Sequence, residues 1–278
     1  MKMDETIKAV FQGVPGAYSE EAIMKYFRAE VPTLGLPTFD ETFAAVEKDQ
    51  AELGFLPAEN STAGTITQTY DLLLDSKLTI TGEFFLRIHH NLMALPETQL
   101  KDIRIVYSHP QGLAQCQGFL KKHHFKPVVE FDTAGSAKKI HDEKIHNAAA
   151  IASARAADVY DLSILAKNIE DFATNTTRFF ILSKRQNKQA KKNKTSIVFS
   201  VRHEPGELLR CLQEFAGRNI NLTKIESRPE KDHPWHYVFY LDFEGYIEDP
   251  PVEKALLNLL KRAIFVKVLG SYPVGRTA

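Results

Sequence analysis

The stretch "FATNTTRFFIL", residues 172 to 182, sets Asn175, Thr176, Thr177 and Arg178 between apolar runs. Amides, hydroxyls and a fixed charge are costly at the edge of a core unless each finds a partner or a ligand. A second cluster, "PAENSTAGTI" at residues 57 to 66, places Glu59, Asn60, Ser61 and Thr62 directly after an apolar run. A plain surface loop would hold the same residues. Taken together, two groups of neutral donors from distant parts of the chain, one with a guanidinium, suit a small carboxylate-bearing ligand.

Positioning those groups calls for alternating strands and helices. Short β-branched or aromatic runs alternate with helical patterns through the first half of the chain, which predicts an α/β fold. "KAVFQ" precedes a helix from near Ser19, "LGFLP" one carrying "TYDLLL", and "IRIVYS" one carrying "LAQCQGFL". "VVEF" precedes "SAKKI", and "AAAIAS" precedes "ARAADVY". Ser19 is the expected N-cap of the first helix. Ser108 is that of "SHPQ" with Gln111 reaching back, Asp132 or Thr133 caps the next, and Ser153 the last. In open α/β sheets such junctions lie at the carboxyl ends of the strands, where helix N-termini offer free N–H groups to an anion. The glycines of "GVPGAYSE" fit neither GxGxxG nor a Walker A loop, which disfavours nucleotides.

Residues 195–278 read as strand, helix, strand, strand, helix, strand, the βαββαβ order of a ferredoxin-like sandwich. Pro205-Gly206 opens its first helix and Gly217 ends it. Apolar surface on edge-prone strands makes pairing with a second copy expected.

With 278 residues, 44% apolar and 25% charged, the chain has room for two domains and a sizeable core. No apolar run approaches a membrane span, and residues 1–12 lack the uncharged core of a signal peptide. Cys116 and Cys211 belong to no CxxC, so a cytoplasmic location is expected. The net charge of zero hides a partition. Residues 1–183 carry 18 basic and 24 acidic side chains, residues 184–194 six and none, and residues 195–278 11 of each. The basic run "KRQNKQAKKNK" has no interleaved aromatics, which favours a solvated linker over a nucleic-acid or membrane patch. The expected division is a catalytic domain at 1–185, a linker at 186–194 and a second domain at 195–278.

With both halves placed, the chain resembles the monofunctional prephenate dehydratases that carry a C-terminal ACT domain, a group close to the arogenate dehydratases. The resemblance covers nearly all of residues 7–273. It rests on "QGVPGAYSEEA", "PAENSTAGTI", "SHPQGLAQC", "DTAGSAK", "AAIASARAADVY" and "NTTRFF", and in the second half on "EPGELL", "NLTKIESRP" and "WHYVFYLDFEG". It implies two α/β lobes like a type II periplasmic binding protein, with the active site in the cleft between them. It further implies that prephenate loses water and CO2 to give phenylpyruvate, in L-phenylalanine biosynthesis, with neither metal nor organic cofactor. The family's Thr-Arg-Phe motif falls on Thr177, Arg178 and Phe179, the threonine being essential. The pattern starts within ten residues of Met1, so no fused chorismate mutase is expected.

Hydroxide is a poor leaving group, so the reaction needs a donor at the departing oxygen. Thr177 is the candidate, relaying a proton from water or from a neighbouring acid such as Glu59. Arg178 either pairs with a substrate carboxylate or braces the loop from behind, and Phe179 packs the apolar wall. Asn60, Ser61 and Ser153 are candidates for the pyruvyl end, with Glu59 and Asn175 completing the substrate-binding set. In the second half the resemblance implies an L-phenylalanine site at a domain–domain interface. Gly206, Leu208, Asn221, Leu222, Thr223, Glu226 and Ser227 are its candidates. Glu207 stands where the family usually has alanine. A position facing solvent in the first helical turn is favoured for it, and weakened inhibition is the other reading.

A homodimer or homotetramer is expected, with no nucleic-acid or membrane partner. Two rival functions are kept. Arogenate dehydratase would need an acceptor for an ammonium, and a non-catalytic amino-acid sensor would need no Thr177. His89-His90, His123-His124 and the His141/His146 pair fit no metal motif and are read as structural or surface residues. Trp235 is expected to cover an apolar face of the second domain's sheet, and Cys116 to act as a small hydrophobe.

Overall fold

A computed structural model describes residues 6–229 and 237–277; Trp235 lies outside them. The chain opens with β1 (Ala9–Gln12), α1 (Tyr18–Phe27), β2 (Thr33–Leu36), α2 (Phe39–Glu47) and β3 (Leu53–Asn60). β1 pairs in parallel with both β2 and β3, the arrangement that crossover helices impose. β4 (Gly64–Thr65) folds back on the end of β3, and α3 (Thr67–Asp75) and β5 (Thr79–Arg87) follow.

A second sheet takes β6 (Asn91–Ala94), β7 (Ile105–Ser108), β8 (Lys126–Val129), β9 (Ala148–Ala152) and β10 (Ser163–Ala166). Its helices are α4 (Pro110–Gln115), α5 (Gln117–Lys122), α6 (Thr133–Glu143) and α7 (Ala154–Val159). The strand order is β10-β6-β9-β7-β8. The "AAAIA" run of β9 is buried throughout because its alternate residues feed two cores. Ala148, Ala150 and Ala152 pack with α6 and α7, while Ala149 and Ile151 pack with Leu113 and Leu120 on the other face. The chain then returns to the first sheet as β11 (Thr176–Ser183).

The last third forms β12 (Asn193–Ser200), α8 (Glu207–Ala216), β13 (Leu222–Pro229), β14 (Tyr237–Glu244), α9 (Pro250–Leu260), β15 (Phe265–Pro273) and β16 (Arg276–Thr277). β13-β14-β12-β15 is an antiparallel sheet, with α8 and α9 over one core, which is the expected ferredoxin-like arrangement. β16 joins the first sheet, ordered β16-β5-β11-β3-β1-β2 with β4 attached to β3.

The chain clusters into two compact units, one of residues up to Thr69 with Phe84–Phe179, the other of Tyr70–Glu83 with Phe180–Arg276. Their boundary falls inside β5 and β11 rather than in the basic run at 186–194. The reason lies within the second unit. The Tyr70 ring meets Tyr240 edge-on at 5.0 Å, and Lys267 Nζ donates to the carbonyls of Leu73, Leu74 and Ser76 at the end of α3. Asn193 and Lys194, expected in the linker, begin β12. Lys194 is buried with Nζ 2.8 and 3.1 Å from the two oxygens of a fully buried Glu83.

Two expected caps move. Ala17, not Ser19, stands at the cap of α1 and makes no side-chain capping bond, while the Glu20 carboxylate reaches back to the Gly16 N–H (2.6 Å) just before it. His109, not Ser108, caps α4: its Nδ1 accepts from the Gln111 N–H at 3.2 Å, while Ser108 is buried and donates to the Ile151 carbonyl. Asp132 and Ser153 cap α6 and α7 as expected. Gly16 has φ 85°, and a Cβ there would meet the Ala156 Cα at 2.8 Å, so glycine alone fits that approach. Among the described residues no helix is long and apolar enough to cross a membrane.

Replacing Lys194 with Met leaves Glu83 buried without that cation. The expected loss is about 3 kcal/mol, read from the midpoint of a denaturant titration; an unchanged midpoint would show the pair to be dispensable.

Candidate active site

A cleft of about 210 Å³ opens in the first unit between its two sheets. Pro57 and Asn60 of β3, Tyr18 and Ser19 of α1, and Thr177 and Phe179 of β11 line one side. Gln111, Gly112 and Gln115 of α4, with Thr133 of α6, line the other. Strand alternation explains the β11 contribution: Thr177 and Phe179 share a face, and Arg178 falls on the opposite one. Gly112 lets α4 pack closely on the end of β7, since a Cβ there would stand 2.8 Å from Ser108 Oγ.

The polar side chains form one connected set. Asn60 Oδ1 accepts from the backbone N–H groups of Thr62 and Ala63, each at 3.0 Å, and from the Thr62 hydroxyl. Main-chain N–H groups only donate, so Asn60 must turn its Nδ2 toward Asn175 Oδ1 (2.7 Å) and Thr177 Oγ1 (2.9 Å). Asn175 in turn donates to Gln115 Oε1 (2.9 Å), which obliges the imidazole of His90, 2.7 Å away through Nε2, to carry its hydrogen there. Burial lowers the pKa of His90, which keeps it neutral, so Nδ1 accepts from the Tyr18 hydroxyl at 2.7 Å. Burial first, then nearby carboxylates, raise the pKa of Tyr18.

Of the residues read as catalytic or substrate-binding, Thr177, Phe179, Asn60 and Asn175 line this cleft. Arg178 and Glu59 do not. They face one another at 4.0 Å, and Arg178 is buried. Ser61 lies beside the cleft, donating to the Thr174 carbonyl and accepting from the Thr176 N–H. Ser153 is consumed by its cap and by the Gly16 carbonyl at 2.6 Å. His90, read as a structural or surface residue, lines the cleft, and so does His109. Among the described residues no group of three or more His, Cys, Asp or Glu is placed to hold a metal ion.

No Lys, Arg, Asp or Glu is among the described lining residues. The first turn of α4, where Gln111 and Gly112 line the cleft, carries no acidic side chain and offers a helix N-terminus to an anion, whereas the first turns of α1 and α6 are offset by Glu20, Glu21 and the Asp132 cap. An uncharged donor set with apolar walls from Ile66, Ile88 and Phe179 can hold anions and leave one of them poorly hydrated.

The second unit holds a separate hollow of about 340 Å³, lined by Arg202, His203, Glu204, Leu208, Tyr237 and Phe239 among others. Of the candidate effector residues, Leu208 alone lines it, and Gly206 caps α8 at φ 85°. Asn221, Leu222 and Thr223 lie at the opposite end of the sheet. Leu222 is level with Phe243 and Thr195, whereas Ser200, which leads toward Gly206, is level with Val238. Further along β13, Glu226 pairs with Lys224 at 2.9 Å and Ser227 is exposed. Glu207 does not face solvent. It is buried, bonded to Arg210 at 2.6 Å and 3.7 Å from Arg202, and the bond to Arg210 leads the forces that lower its pKa.

Residues 9–187 match the prephenate dehydratase family and residues 195–261 the ACT domain. This chain belongs to the prephenate dehydratase family. The chloroplastic arogenate dehydratase/prephenate dehydratase 2 of Arabidopsis thaliana is 43% identical over 282 residues, covering 98% of this chain and 74% of its own. The prephenate dehydratase of Arthrobacter aurescens, solved in complex with L-Phe, superposes with a TM-score of 0.87 at 29% identity, over 96% of this chain and 90% of that one. GqqA, described as a novel type of quorum quenching acylase, superposes with a TM-score of 0.89 at 38% identity, over 96% and 97%.

Sequence reasoning missed Tyr18, His90 and Gln115. Gln111 and Gln115, one helical turn apart, carried the one legible signal, a polar stripe on a helix that starts at a strand end. For His90 the sign of the pH effect follows from its lowered pKa. Below about pH 6.5 the unfolded chain binds a proton that the folded chain resists, so stability falls as pH falls. Its expected share is at most about 1.4 kcal/mol per pH unit. His90→Gln should lose less stability than the wild type between about pH 7 and about pH 5.5, measured by denaturant titration. An equal loss in both proteins would remove His90 from the account.

Proposed function

We propose that the chain converts prephenate to phenylpyruvate, with Thr177 donating a hydrogen bond to the ring oxygen that departs. The electron pair of the ring carbon–carboxylate bond becomes a ring π bond, CO2 leaves, and the C–O pair leaves with the hydroxyl. One proton is taken up to make water. The direction of the Asn60–Thr177 hydrogen bond carries this reading. Because Thr177 Oγ1 accepts from Asn60, its own hydrogen is free for the leaving oxygen. Glu59 is not placed to relay the balancing proton, since it faces Arg178 outside the lining; water at the open mouth supplies it. Arg178 braces β11 from behind rather than meeting a substrate carboxylate. Phe179 and its apolar neighbours leave the ring carboxylate poorly solvated, which favours its loss as CO2.

The lining favours prephenate over arogenate. Arogenate presents an ammonium where prephenate has a keto group, and no carboxylate among the described lining residues faces the cleft to pair with it. The acylase activity named for GqqA is disfavoured, because among the described residues no base accepts a hydrogen bond from Thr177 and would activate it as a nucleophile.

Feedback by L-phenylalanine belongs to the same reading. Gly206–Leu208 and Asn221–Thr223 stand at opposite ends of one sheet, so a site using both needs two copies. β13 is a terminal strand of that sheet, and antiparallel pairing with its twin about a two-fold axis brings each end against the other. On this reading the chain works as at least a homodimer. Both cysteines are free and buried, which fits the expected cytoplasmic location.

Turnover is followed as phenylpyruvate formed from prephenate. Thr177→Ala and Asn60→Asp, the second reversing the bond to Thr177, are each expected to lower kcat by roughly 10²–10³ while the fold persists. Thr177→Ser should keep more activity than Thr177→Ala. Normal turnover in Thr177→Ala would end the assignment, faster turnover of arogenate would reverse the substrate choice, and no turnover of either would favour an amino-acid sensor. Added L-phenylalanine is expected to slow the reaction in a sample that sediments as a dimer or larger. A monomer whose rate ignores phenylalanine would remove the effector site.

A further inference from the structure

The chain passes between the two sheets of the first unit twice, at residues 88–90 from β5 to β6 and at residues 167–175 from β10 to β11. Both passages carry cleft groups: Ile88 and His90 on the first, Asn175 on the second just before Thr177. Two backbone bonds join them, Ile88 N–H to the Asn175 carbonyl and Ile169 N–H to the His90 carbonyl, each 2.9 Å. The passages link the β5–β11 pair to the β6–β10 pair, whose ladders hold them from either end. Across the crossing itself those rungs are reinforced by a side chain.

Glu170 sits between those rungs. Its Oε2 accepts from the His90 N–H at 2.9 Å and its Oε1 from His89 Nδ1 at 2.9 Å. Its side chain is 5% exposed, that of His89 37%. Burial alone would raise the pKa of this carboxyl, yet backbone N–H groups, then the His89 ring, outweigh burial and hold it below its ordinary value. The carboxylate is therefore ionised and accepts both bonds. Alternation along the first passage turns Ile88 and His90 toward the cleft and leaves His89 on the other side, where Glu170 meets it.

We propose that Glu170 is a positioning residue for the reaction. By clasping His89 and His90 from behind, it fixes the spacing of the two passages. That spacing sets the distances from His90 through Gln115 and Asn175 to Asn60 and Thr177. The proposal rests on the reading that Thr177 works in this cleft. A slip of the passages by a fraction of an ångström takes bonds of 2.7 to 2.9 Å out of line. Glutamine can keep the clasp, accepting from the His90 N–H while its amide donates to the other tautomer of His89; alanine cannot.

Two measurements on Glu170→Ala and Glu170→Gln test this. In Glu170→Ala, backbone hydrogen exchange in peptides covering the two passages should quicken about tenfold, with β9 unchanged. Its kcat on prephenate should fall at least about tenfold with KM within about threefold. Glu170→Gln should restore slow exchange and at least about a third of the wild-type kcat. Unchanged exchange and kcat in a folded Glu170→Ala protein overturn the proposal, and so does a Gln variant as impaired as the Ala variant. A wild type that does not turn over prephenate defeats the proposed function instead, and the exchange arm then decides the clasp by itself.

Discussion

One amide hydrogen, from Asn60 to Thr177 Oγ1, sets the polarity of the whole cleft. It points the way it does because two main-chain N–H groups in the turn after β3 claim the other end of the Asn60 amide. From that fixed start the donors and acceptors alternate through Asn175 and Gln115 to His90, beyond which the Tyr18 hydroxyl stands within reach of both His90 Nδ1 and the His89 carbonyl. The fold supplies what this chain of bonds requires. β3 runs on to Asn60, β11 brings Thr177 beside it, and α4 faces them from the second sheet with Gln115.

Much of the scaffold was legible in the sequence, and the reasons differ by region. The second unit has an amphipathic α8 and, in β13, a strand of regularly alternating burial, so its order could be read directly. In the first unit the helix starts were legible, but the capping atoms were not. Ala17 and His109 stand at the caps in place of Ser19 and Ser108, and the hydroxyl of Ser108 is drawn away by the Ile151 carbonyl, a contact too distant in sequence for any local pattern to encode. The antiparallel strands β5, β6 and β10 were not anticipated, because apolar runs such as "EFFLRIHHNLMA" carry no turn signal between elements. Thr177 and Asn60 stood out because polar residues at a strand end need a reason. His90 did not, since its meaning depends on Gln115 and on Tyr18, 25 and 72 residues away in sequence.

The second unit departs from a free-standing regulatory module. Residues 70–83 complete it, and both faces of β14 are buried. Glu207 shows how a charged residue enters a position where a small one is usual: Arg210 neutralises it and Arg202 lies within 4 Å, so its own charge is not left unpaired.

That no lysine or arginine is among the described lining residues has a consequence for the end of the proposed catalytic cycle. On the proposed reading the substrate arrives with two negative charges and the organic product departs with one. A lysine or arginine would grip that remaining charge and would have to be swung aside before release. Oriented dipoles and neutral amides grip it weakly and stay in place. Decarboxylation thus loosens its own product, and an unaltered pocket is ready for the next molecule.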